Sequence, residues 1–155
     1  MYLEQLQHQS DAINAIMAAM EGCRDGVPDN NNAYANHNIN VTQNIDVKME
    51  TATGKTYVYT RMMYEMFKQY GINKFIIFVP SLAIKEGTKS FITDNDTKRH
   101  FAELYENVHI DLDMINAGDF NTKKGRKTIP VTLMDFLEGT RNDSKTIKCL
   151  QVAAY

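Results

Sequence analysis

The sequence predicts an α/β fold in which a mostly parallel sheet is flanked by helices. Three observations predict it. Apolar residues change period along the chain, from the 3.6 of a helix to the 2 of a strand and back. Residues 75–79, Phe-Ile-Ile-Phe-Val, are apolar throughout, which suits a strand buried on both faces in a parallel sheet. Gly54-Lys55-Thr56 stands between a strand pattern and a helix pattern, where a phosphate-binding loop belongs.

The elements follow in chain order. Residues 3–20 read as an amphipathic helix, because Leu6, Ile13, Ile16, Met17 and Met20 recur near every 3.6 residues. Gly22, Gly26 and Pro28 stop it. A surface loop is expected at about 22–38, rich in asparagine through Asn30, Asn31, Asn32, Asn36 and Asn38. In residues 39–49 the apolar Ile39, Val41, Ile45, Val47 and Met49 all fall at odd positions, the period of a strand, with a break at Gln43. A polar loop at 50–55 precedes a helix at 56–70 with Val58, Met62, Met66 and Phe67 as its buried face, closed by Gly71. The apolar strand at 74–80 leads to a helix through about 91, a polar break at 93–97 and a helix at 98–105. An alternating strand at 108–115, a polar loop at 118–126, a short helix at 130–137 and a strand at 146–154 complete the order. Right-handed crossovers in such an order put helices on both faces of the sheet.

Bulk properties narrow the classes. Seventeen basic and nineteen acidic residues give a net charge of −2, without the global basic bias of a histone-like DNA binder. A protein that grips nucleic acid only in a local groove needs no such bias. Cys23 and Cys149 form no CxxC or zinc spacing and are expected to be reduced thiols. Residues 1–16 lack the basic and apolar regions of a signal peptide, and no apolar run reaches membrane-spanning length. The expectation is a cytoplasmic protein with no membrane partner.

The chemistry sits in residues 49–56, Met-Glu-Thr-Ala-Thr-Gly-Lys-Thr. In such a loop, backbone N–H groups of Thr51, Ala52, Thr53 and Gly54 converge on phosphates while the following helix aims its N-terminal dipole at them. Lys55 adds a charge at the terminal phosphates, and the Thr56 hydroxyl ligates Mg²⁺. The strict GxxxxGK[ST] pattern fails, since its first glycine falls at Met49. The bland reading is a βα turn with a capping threonine. Alanine at positive φ is unfavourable, so Ala52 is expected to take a right-handed or extended backbone angle. Gln9 carries an amide able to pair with an adenine edge, though a glutamine on an amphipathic helix is commonly plain surface. Pro80 and Ser81 end a strand at the edge where ligands bind in open α/β folds. A helix N-capping serine is the alternative there.

Taken together, three segments resemble the start of the restriction (Res) subunit of type III restriction-modification enzymes. They are Leu6-Gln7-His8-Gln9 with Ala12-Ile13, residues 47–59, and Phe78-Val79-Pro80-Ser81-Leu82-Ala83-Ile84-Lys85-Glu86-Gly87. The match is good over about 6–91 and vaguer beyond, where Met114-Ile115-Asn116-Ala117 still fits. The family is helicase-like, so the resemblance implies the N-terminal part of the first RecA-like, P-loop motor domain over residues 1–155. It implies ATP and Mg²⁺ as cofactors, and double-stranded DNA and a modification methyltransferase (Mod) subunit as partners. Gln9 then resembles the adenine-reading glutamine. Gly54, Lys55 and Thr56 resemble the phosphate and Mg²⁺ residues, and Pro80 and Ser81 the segment touching the nucleic-acid backbone. Ala52 departs from the family's usual glycine. No Asp-Glu pair of the family's acidic motif occurs in the chain. The expectation is therefore a fragment, inactive alone, of an ATP-dependent DNA-translocating endonuclease. A P-loop kinase or other small ATPase is the rival enzyme, and a non-catalytic nucleotide-dependent interaction module the rival outside enzymes.

Other residues have plainer readings. Asp111 and Asp113 share a strand face and read as solvated rather than as an acid/base pair. His8, His37, His100 and His109 lack metal spacing. Lys123, Lys124, Arg126 and Lys127 read first as a solvated basic loop and second as a phosphate-backbone contact. The nine methionines read as core filler.

Overall fold

The computed structural model describes residues 3, 5–22, 45–120, 122–123, 126–127, 129–138 and 145–153. Helix α1 (Gln7–Gly22) precedes α2 (Lys55–Tyr70), strand β1 (Lys74–Val79), α3 (Leu82–Thr93), α4 (Asn95–Leu104) and β2 (His109–Ile115). A 3-10 turn at Ala117–Asp119 leads to a small hairpin, β3 (Thr122–Lys123) and β4 (Arg126–Lys127), then α5 (Val131–Glu138) and β5 (Thr146–Ala153). The predicted loop at 118–126 thus contains two short antiparallel strands. The Asn-rich loop lies outside the described residues beyond Gly22, as does Cys23.

The main sheet is wholly parallel, in the order β1-β5-β2. Going from β1 to β2 skips a position, and going from β2 to β5 steps back. Right-handed crossovers then place α3–α4 on one face and α5 on the other. Burial agrees. On one face Tyr57, Met63 and Tyr64 of α2 pack with Phe101, Ile110, Ile147 and Cys149. On the other, Phe136 of α5 packs on Ile115 and Leu150. Helix α1 lies outside α2, through Ile13, Ile16 and Met17 against Val58, Met66 and Tyr70. Burial pushes the Cys149 thiol up to about 12, with the Asp113 charge adding to it, so this cysteine is an inert core group.

Several sequence expectations need correction. Residues 45–50 are not a strand. Ile45 and Met49 pack beside the α1–α2 cluster, so the period of two survives as packing, but a ladder also needs a neighbour. None of the three parallel strands, whose order is β1-β5-β2, pairs with this segment among the described residues. Residues 39–44 of the same predicted strand lie outside the described residues. Strand β1 is buried on one face only: Ile76 and Phe78 are 59% and 66% exposed, because β1 pairs with β5 alone among the described strands and α5 covers little beyond its start. The break at 93–97 shrinks to Asp94, whose carboxylate accepts from Thr97 N at 2.9 Å and starts α4 three residues early. Leu6 is 38% exposed rather than buried. Asp111 is exposed and Asp113 half-buried, as a solvated strand face requires.

Candidate functional site

Helix α2 fixes the site. It runs back along the sheet and turns through Gly71, at φ 68 with its N–H on Phe67 O, into β1. The N-terminus of α2 and the C-terminal end of β1 therefore share one edge. Tyr59, in the second turn of α2, bonds Thr88 of α3 at 2.7 Å and ties the two helices together. The opposite flank of α2 is tied to α4 by a polar seam. Tyr57 Oη meets His100 Nε2 at 3.2 Å, Arg61 donates to Tyr105 Oη at 3.3 Å, and Tyr105 donates to Glu65 at 2.7 Å. Burial, and then the Arg61 charge, hold the His100 imidazole below its usual pKa. Burial raises the Tyr57 and Tyr64 hydroxyls.

The loop ahead of α2 is a tight turn. Thr53 Oγ1 and Lys55 Nζ both donate to Glu50 O, each at 2.7 Å. Ala52 lies at φ 64 and Gly54 at φ 83. The expectation for Ala52 was wrong: it is left-handed. That strain costs about 1–2 kcal/mol for alanine, and residues held so mark constrained turns. Positive φ at both Ala52 and Gly54, immediately ahead of a helix N-terminus, is a backbone that an anion nest can use. Gly54 is also the N-cap of α2, without a side-chain cap. Its left-handed angle favours glycine, and a Cβ there would press on the Gln9 side-chain amide, which would have to shift. These features fit a phosphate group.

Other predicted site residues divide. Thr51 and Lys55 are exposed, and Thr53 and Thr56 half-buried. Gln9 is brought to the loop, buried, its Nε2 donating to Thr53 O at 3.2 Å and its Oε1 accepting from Leu6 N at 3.4 Å. Its first partner is thus the loop backbone. Pro80 is exposed, and Ser81 caps α3, its Oγ accepting from Ile84 N at 3.4 Å. Two residues escaped the sequence reading. His8 Nε2 lies 3.0 Å from Thr53 O, a contact no spacing rule reports. Lys85 is wholly buried, donating to Ile115 O at 2.9 Å and Asn116 Oδ1 at 2.5 Å, while Gln151 Nε2 donates to Lys85 O. It ties α3 to the ends of β2 and β5. Periodicity assigns lysines to solvent, so nothing in the sequence marked it.

Ala52→Gly should stabilise the chain by roughly 1 kcal/mol, since about 1–2 kcal/mol of strain is relieved against about 0.4–1 kcal/mol of added unfolded-state entropy. A thermal or urea melt measures it. A destabilised variant would show that Ala52 carries no strain.

Among the described residues, no helix is long and apolar enough to cross a membrane, and no three His, Cys, Asp or Glu side chains group as metal ligands. Comparison with known proteins adds the family. The profile described as type III restriction enzyme, res subunit, matches residues 2–149. The Res subunit of the type III restriction-modification enzyme StyLTI of Salmonella typhimurium is 49% identical over 98% of this chain. The corresponding EcoPI subunit of Escherichia phage P1 is 40% identical over 70% of it, and the EcoP15I subunit of Escherichia coli 38% over 77%. The chain spans 16%, 11% and 12% of those three proteins. The parallel α/β sheet flanked by helices is the RecA-like fold the resemblance implied, and this chain belongs to the type III restriction enzyme Res-subunit family.

Proposed function

We propose that this chain is the ATP-binding opening of the motor in a type III restriction subunit, whose whole protein moves on or switches along double-stranded DNA and then cuts it. The observation that carries this is the loop at 50–54, left-handed at Ala52 and Gly54 and running straight into α2 with Lys55 exposed at its mouth. Amides of residues 51–56 and the helix dipole would take the phosphates. Lys55 would leave Glu50 O for the terminal phosphate, and the Thr56 hydroxyl would hold Mg²⁺, which neutralises charge on the phosphates when bound. Gln9, after its bonds to Thr53 O and Leu6 N, keeps one N–H and one lone pair for an adenine edge. Pro80 and Ser81, at the same sheet edge, would meet the DNA backbone. A Mod methyltransferase subunit would be the partner and the cytoplasm the place. Family membership leaves the kinase reading without support.

Binding alone does not lower the barrier to hydrolysis. That needs a further acid on Mg²⁺, a water-orienting group and a cation for the developing charge. An arginine in the last role is worth about 10³–10⁵ in rate. The 155 residues alone should therefore bind Mg·ATP yet release phosphate at the background rate, with or without double-stranded DNA. DNA-stimulated turnover on the order of 1 s⁻¹ that vanishes in Lys55→Ala would show a complete site within these residues. No binding of ATP would contradict the reading itself.

A further inference from the structure

Two side chains at the start of α1 reach one atom of the loop. His8 Nε2 lies 3.0 Å and Gln9 Nε2 3.2 Å from Thr53 O. A carbonyl oxygen only accepts, so His8 carries a proton on Nε2 at this contact. The Gln9 amide is oriented independently, because its Oε1 accepts from Leu6 N. Both lone pairs of Thr53 O are thereby engaged.

The consequence lies on the other side of the same peptide. The 53–54 peptide is planar and trans, so its C=O and N–H point in opposite directions. Holding Thr53 O toward α1 turns the Gly54 N–H away from α1, toward the mouth of the loop. Glycine at 54 has no Cβ to resist rotation of that plane. If the plane turned over, a carbonyl oxygen would face the phosphate oxygens in place of a donor. One hydrogen bond pins a peptide along one direction; two converging donors fix its plane.

We propose that His8 is a positioning residue of the phosphate loop, which together with Gln9 locks the Thr53–Gly54 peptide so that the Gly54 N–H stays available to a nucleotide phosphate. This rests on the reading of residues 50–56 as a nucleotide site. His8 touches neither nucleotide nor metal in this role; it acts through Thr53 O. It is the exposed half of the lock and Gln9 the buried half.

The test uses the ¹⁵N-labelled 155-residue chain, with Mg·ADP as probe, followed through its amide resonances. His8→Ala should weaken ADP by roughly two- to tenfold, the worth of one hydrogen bond. It should also shrink the ADP-induced shift of the Gly54 amide, while the thermal midpoint stays unchanged. His8→Gln should restore both, because glutamine Nε2 stands as many bonds from Cβ as histidine Nε2. Wild-type affinity and an undiminished Gly54 shift in His8→Ala would overturn the proposal, as would equal losses in His8→Ala and His8→Gln. Lys55→Ala is the control. Loss there without loss in His8→Ala keeps the nucleotide site and removes His8 from it. No response of any amide in 50–56 of the wild type overturns the nucleotide site and, with it, this inference.

Discussion

Lys55→Ala is expected to weaken Mg·ATP binding by about tenfold to a hundredfold and to leave the fold intact. Lys55 is exposed at the first position of α2, and its ammonium spends one of three N–H donors on Glu50 O at 2.7 Å. The bond to a neutral carbonyl is easily exchanged for one to a phosphate oxygen. A hydrogen bond to a charged group contributes about 1.5–3 kcal/mol, which converts to that range of affinity. The core of α2 is carried elsewhere, by Tyr57, Val58, Met63, Tyr64, Met66 and Tyr70. Calorimetric titration gives the affinity and circular dichroism the fold. An unchanged dissociation constant would remove Lys55 from the phosphate site.

Phe101→Ala should destabilise the chain by about 3–5 kcal/mol. Phe101 is 1% exposed and lies at the centre of an aromatic stack. Its ring sits 4.8 Å from Tyr64 at 14° and 5.5 Å from Tyr57. Both tyrosines belong to α2, so Phe101 is the apolar part of the contact by which α4 seats that helix, beside the polar seam. Truncation leaves a cavity and also removes aromatic pair interactions of about 0.5–1.5 kcal/mol each. Total stabilities run about 5–15 kcal/mol, so most of the margin would go. The effect should reach function, because α2 carries Lys55 and Thr56 at its first turn. Urea denaturation measures it, and a loss below about 1 kcal/mol would show that the stack does not seat α2.

Much of this was legible before any coordinates. The period of 3.6 in Val58 and Met66, with Gly71 behind them, located α2 within a residue at each end. Local rules suffice there, because a helix closes its own hydrogen bonds. Strands do not. Residues 45–49 alternate correctly yet lack a ladder, since pairing depends on a neighbour that local pattern cannot name. The apolar run in β1 was read as doubly buried, but Ile76 and Phe78 show that edge or centre is a matter of topology. At the candidate site, Gly54 and Lys55 were marked by motif and by their place ahead of a helix, while the strand expected before them is absent at 45–50. The left-handed Ala52 was missed because its intrinsic cost was weighed without the turn that imposes it, in which Thr53 and Lys55 both bond Glu50 O. His8 and Lys85 were missed because their partners are distant in sequence, a backbone carbonyl for each and the Asn116 side chain as well for Lys85, and such partners leave no trace in a local pattern.

The central claim is that residues 50–56 hold the nucleotide, and amide hydrogen exchange with and without Mg·ATP tests it most directly. Protection is expected across 51–57, where backbone N–H groups would bond phosphate oxygens, and at the start of α1 through Gln9. The middle of β5, already paired on both sides, should stay unchanged. Protection confined to other segments, or none anywhere at saturating ATP, would contradict the claim.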